Sequence, residues 1–99
     1  MLSDENKKLC WEVLSKYGIE HQYYKIIEEC SELQEATSHI LQNRDFDRME
    51  NFREELVDVI VMCQQMLMVT GMQTEEVNRR AKAKLLRALN KEEKECQRC

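Results

Sequence analysis

The chain has 99 residues, no proline, two glycines and a formal net charge of −4, with 34% of its residues charged. That length supports one domain with a modest core, and the lack of proline with scarce glycine excludes a turn-rich β architecture. Mixed, slightly acidic charge argues against a nucleic acid polymer as partner, and the longest apolar stretch, Val57–Cys63, falls far short of the roughly 20 residues of a membrane span. The expectation is a single all-α domain over residues 1–99, with a core at about 18–89 and a polar tail at 91–99.

In chain order, the opening MLSDENKK has no apolar core of the kind a signal peptide needs. With no export signal, the five cysteines read as reduced thiols of a cytoplasmic protein. Ser3 or Asp4 is a good N-cap for a first helix running to about Tyr17, and Gly18 is a good stop. Trp11, the only tryptophan, is an apolar anchor on that helix or a surface for base stacking.

A second helix is expected from Ile19 or Glu20 to Gln42, with Tyr23, Ile26, Ile27, Cys30, Leu33, Thr37 and Leu41 as its core stripe. The loop falls at Asn43-Arg44-Asp45, and Asp47 with Glu50 matches a capping box for the third helix. On that helix Met49, Phe52, Leu56, Ile60, Cys63 and Leu67 form one stripe. Val61, Met62 and Val69 keep the opposite side apolar around Asp58. A helix apolar nearly all round is buried all round; three partners of this length would hardly cover it, which predicts a homo-oligomer. Gly71 ends the third helix and Thr74 caps a fourth, which reaches about Glu92. The fourth carries Arg79, Arg80, Lys82, Lys84 and Arg87 and packs through Val77, Ala81, Leu85, Leu86 and Leu89.

The chemistry concentrates on the second and third helices. Glu29/Glu32 and Glu55/Asp58 are i,i+3 pairs, each on one face of its helix. Glu32 and Glu55 are equidistant from a turn centred between Asn43 and Arg44, and so are Glu29 and Asp58. An antiparallel pair with axes roughly 8–10 Å apart therefore brings four carboxylates to one volume. Two carboxylates about 5 Å apart repel by roughly 3 kcal/mol at an effective dielectric near 20. Asp58, set in an apolar run, is expected to carry a burial cost as well. Hard divalent cations answer both costs, and Mg²⁺ is the usual one where carboxylates meet phosphates.

Duller readings compete at each feature. Nineteen acidic residues yield ExxE spacings by chance, so Glu28, Glu32 and Glu35 alone would read as a solvated face. A di-iron carboxylate bundle needs Glu-x-x-His from two helices, and neither His21 nor His39 has a glutamate three residues before it. Cys96-x-x-Cys99 has no second pair and no nearby histidine to make a zinc site. The basic fourth helix either balances the acidic ones or meets a phosphate, with Arg80 and Lys84 foremost. Lys25 either serves a phosphate or holds a carboxylate.

At Glu28-Glu29-x-x-Glu32, followed by Glu55-x-x-Asp58, the sequence resembles the MazG-like all-α nucleoside triphosphate pyrophosphohydrolases, whose signature is EExxE, a gap, then ExxD. KIIEECSELQEA and FREELVDVIVMC look like that family's two central helices, and the likeness runs from about Gly18 to Leu89. The resemblance implies a four-helix MazG-like bundle completed by homo-oligomerisation, as a homodimer or homotetramer. It implies Mg²⁺-dependent hydrolysis of NTPs or dNTPs to the monophosphate and pyrophosphate, with Mn²⁺ as the alternate ion. Glu29, Glu32, Glu55 and Asp58 would be the metal ligands and catalytic carboxylates, with Glu28 behind them. Lys25, Asn78, Arg80 and Lys84 are the candidates for phosphate binding, the NRRAKAKLLR stretch matching only loosely; Trp11, His21, Gln22 and Tyr24 are the candidates for the base. Two alternatives keep the same scaffold: a non-catalytic oligomerisation or regulatory module, and a nucleotide sensor without turnover.

Overall fold

A computed structural model of the chain describes residues 1–43 and 46–95, with side chains over 1–42 and 48–90. Four helices follow in order: α1 (Asp4–Tyr17), α2 (Ile19–Asn43), α3 (Phe46–Thr70) and α4 (Thr74–Glu95). There is no strand among the described residues. The loop expected at Asn43–Asp45, the Asp47 capping box and the Cys96–Cys99 pair lie outside the residues so described.

The helix ends follow their capping chemistry. Ser3 Oγ accepts from the Asn6 backbone N–H at 3.1 Å and so satisfies a first-turn donor of α1. Gly18, at φ 89°, is a hinge of one residue: its N–H reaches Leu14 O at 2.9 Å, and its carbonyl accepts from Gln22 N at 3.2 Å. One glycine thereby closes α1 and opens α2. At the end of α3, Gly71 stands at φ 70°. Met72 N reaches Leu67 O at 3.1 Å and Gly71 N reaches Met68 O at 3.3 Å, the paired bonds of a Schellman stop.

Helices α2 and α3 form a long antiparallel hairpin, and α1 packs on both. On α2 the inward positions are Gln22, Ile26, Glu29, Leu33, Ala36 and Ile40, an alternation of four and three residues that keeps one seam facing a partner helix. On α3 Phe52, Glu55, Val59, Met62, Met66 and Val69 repeat that alternation. This seam corrects the apolar stripes expected from hydrophobicity. Tyr23, Ile27, Cys30, Thr37 and Leu41 of α2 are exposed, as are Met49, Leu56 and Cys63 of α3. Polar Gln22, Glu29 and Gln65 are buried in their stead.

The fourth helix also departs from expectation. Among the described residues its backbone makes no close approach to the other three, so the single chain is a three-helix core with a projecting arm rather than a closed four-helix bundle. Val77 and Ala81 are half-buried near the start of α4, whereas Leu85 and Leu89 are 65% and 63% exposed. No single helix among the described residues is long and apolar enough to cross a membrane.

Candidate metal centre

The hairpin register brings the four carboxylates together. Glu29, Glu32, Glu55 and Asp58 each offer an oxygen, and those oxygens lie within 4.8 Å of one another. Their environments differ. Glu29 is 7% exposed, Glu32 and Glu55 are half-buried, and Asp58 is exposed. The expectation that Asp58 carries the burial cost is thus corrected: its apolar neighbours in sequence turn to other sides of α3, and Glu29, on the seam, is the buried acid.

Two oxygens, Glu29 Oε2 and Glu55 Oε2, are sealed from solvent and have no hydrogen-bond partner. The other Glu29 oxygen is held by Lys25 Nζ at 3.2 Å, and Lys25 also reaches Glu28 Oε1 at 3.5 Å. The hydrogen bond to Glu29, then the charges of Glu28 and Glu29, raise the lysine above its ordinary range. One ammonium does not balance four carboxylates. The residual repulsion shows at Glu32, whose carboxyl is pushed up to about 7. The first cause is the hydrogen bond a protonated Glu32 gives Glu29; the Glu29 charge, burial and the same two effects of Glu55 follow. Once Glu32 ionises it has no hydrogen to give Glu29 or Glu55.

This donor set suits a hard divalent cation. All four groups are carboxylates, and two of their oxygens lack a donor. Glu29, Glu32, Glu55 and Asp58 would hold such an ion, supplying charged oxygen ligands that already lie within 4.8 Å of one another.

A cavity of about 520 Å³ opens beside the cluster, lined by Glu28, Glu29 and Asp58 together with Tyr17, His21 and Tyr24. That size is within the range of small-molecule sites. Of the residues proposed for ligand contacts, Lys25, His21, Gln22 and Tyr24 line it. Trp11 and Asn78 do not; they line a second groove of about 740 Å³ between the chain start, α3 and the start of α4. Arg80 is tied within its own helix to Glu76 at 2.7 Å, and Lys84 is exposed on the projecting arm.

Gln65 is a lining residue that sequence reasoning passed over. It is 1% exposed, and its Oε1 accepts from Gln22 Nε2 at 2.7 Å. The signal was present, since Gln64-Gln65 interrupts an apolar run, VIVMCQQMLMV. A polar residue persisting there meets either solvent or a partner. No protein-family model matches this chain, and neither the curated proteins nor the solved structures give a significant match.

Proposed function

We propose that the chain is a nucleotide pyrophosphohydrolase that works with Mg²⁺ and cleaves NTPs or dNTPs to the monophosphate and pyrophosphate. The observation that carries the reading is the convergence of Glu29, Glu32, Glu55 and Asp58, two of them with sealed, donorless oxygens, at the edge of a cavity of about 520 Å³. The resemblance of Glu28-Glu29-x-x-Glu32 and Glu55-x-x-Asp58 to the MazG-like motif supports it as well.

In this reading the four carboxylates hold divalent ions, and Lys25 keeps Glu29 oriented from behind. Bound there, the ions supply Lewis-acid polarisation of the phosphoryl oxygens and make the attacking water more acidic. The chain fixes the triphosphate between carboxylates and cavity, so that water meets the α-phosphorus in line with the leaving group. Water oxygen bonds to the α-phosphorus as the α–β anhydride bond breaks. The water proton passes to a carboxylate of the site, and pyrophosphate departs. Positioning and electrostatics carry most of the rate in such phosphoryl chemistry.

The same reading takes the protein as a homo-oligomer. An α4 whose backbone makes no close approach to the other helices among the described residues supports this, as do the exposed Leu56, Val57, Leu85, Leu86 and Leu89. A second copy would close the bundle and set Arg80 and Lys84 against a neighbour.

The test is thermal unfolding in EDTA, in Mg²⁺, and in Mg²⁺ with NTPs and dNTPs, with pyrophosphate release read on the same samples. Stabilisation by Mg²⁺ together with pyrophosphate release is the expected result. Stabilisation with saturable binding but no product makes the protein a sensor. No response to Mg²⁺ leaves the carboxylates as a charged face and ends the hydrolase reading.

A further inference from the structure

The cavity beside the carboxylates has a polar floor that neither metal ligation nor phosphate chemistry uses. Gln22 is 2% exposed and Gln65 is 1% exposed, and their amides meet at 2.7 Å across the hairpin seam. Packing alone would favour leucine or methionine there, because a buried carboxamide short of partners is destabilising.

The amides form a relay with a direction. His21 Nδ1 lies 2.7 Å from Gln22 Oε1; a carbonyl oxygen only accepts, so the imidazole donates. Gln22 Nε2 then gives one hydrogen to Gln65 Oε1, and faces Met62 Sδ at 3.9 Å with the other. Both ends of Gln22 are occupied. Gln65, its oxygen taken, keeps an –NH₂ group to give, and the residue lines the cavity.

We infer that Gln65 determines base specificity: its carboxamide nitrogen, fixed as a donor by His21 and Gln22, reads a carbonyl oxygen on the base of a nucleotide whose phosphates lie at the carboxylates. The ligand class is a nucleotide with a carbonyl-bearing base, namely uracil, thymine, cytosine or guanine. Adenine has no carbonyl, and its exocyclic amine would set donor against donor. Stacked on His21 at 5.0 Å and 22°, Tyr17 holds the ring that orients the relay. Gln22 and His21 are positioning residues, and Gln65 makes the contact. The inference rests on the nucleotide reading above, and its test separates the two.

Calorimetry measures binding of UMP, CMP, GMP and AMP to the full chain in Mg²⁺, alongside pyrophosphate release from the four triphosphates. The three carbonyl-bearing monophosphates are expected to bind about tenfold or more tightly than AMP. Gln65→Leu brings all four within about threefold of one another, and Gln65→Glu, with an acceptor in place of the donor, moves the order toward AMP. His21→Phe keeps the stack on Tyr17 and the fold, since His21 is exposed, yet releases the relay and flattens the preference. It stands as the second variant should a change at buried Gln65 unfold the protein. Preference for AMP, no binding of any of the four, or an order unmoved by these variants overturns the inference even if pyrophosphate is released. Ordered binding that depends on Gln65, with no pyrophosphate released, upholds it and removes the hydrolase.

Discussion

Glu55→Gln isolates the electrostatic strain of the carboxylate cluster. The Glu55 side chain has a sealed oxygen without a donor, and no lysine or arginine pairs with it among the described residues. Its oxygen lies no more than 4.8 Å from that of Glu29, where like charges repel by about 3.5 kcal/mol at an effective dielectric near 20. Glu55 is half-exposed, and counterions screen it, so about 1–2 kcal/mol of net destabilisation is expected to survive. The amide removes that charge. In EDTA at pH 8, where Glu32 is ionised, Glu55→Gln should therefore melt about 5–15 °C above the natural chain. Saturating Mg²⁺ should reverse the order. At one hundred times its dissociation constant the ion stabilises the intact site by about 2.7 kcal/mol, and the variant has lost a ligand. Circular dichroism melts under both conditions decide it. A variant that melts below the natural chain in EDTA would mean that Glu55 accepts a structural hydrogen bond, and the argument from frustrated charge would be wrong.

Glu32, held at about 7 in the folded chain against an unfolded value near 4.5, makes the metal-free protein pH-sensitive. Between those values the folded state binds more protons, so its extra stability is present in full below the lower value and is lost as pH rises through about 7. Melting temperature in EDTA should fall from pH 5 to pH 8, Glu32→Gln should flatten the slope, and a rising slope would refute the assignment. Over the same window Mg²⁺ affinity should increase, as the ion displaces the proton; titration calorimetry at pH 6 and pH 8 checks this. Lys25→Met should lower the melting temperature of the metal-free chain, and the loss should vanish in a Glu29→Gln background; equal losses in both backgrounds would show that Lys25 does not act through Glu29. Leu85→Glu with Leu89→Glu should reduce the mass seen by light scattering without loss of helix signal, because both leucines stand exposed on α4. A natural chain that is already monomeric would end the homo-oligomer reading.

Much of this was legible in the sequence, because caps and register are local. Ser3, Gly18, Gly71 and Thr74 set the helix limits close to where they stand, and counting outward from the turn was enough to bring Glu29, Glu32, Glu55 and Asp58 to one volume. The seam was not legible, and the reason is physical. Hydrophobicity picks out the inward face only when the chain buries all its apolar residues, and here Tyr23, Ile27, Leu41 and Leu56 remain outside. The true seam admits Gln22 and Glu29, with Gln65 buried beside it, and a hydrophobic stripe passes over all three. Trp11 was set beside the base candidates because aromatic residues stack; α1 instead turns it toward the groove it shares with Asn78. Nothing in the residues of α4 indicated that its leucines would find no partner within the chain.

The placement of all four carboxylates on one helical hairpin has a kinetic consequence. Helices joined by a short loop pair early, because closing so small a loop costs little entropy and helical contacts are local. The four charges then meet while the rest of the chain is still forming, and in the absence of ions their repulsion opposes that encounter. A divalent cation that neutralises them would act on the nucleus itself. It would speed folding, whereas a ligand recognised only by the finished cavity slows unfolding.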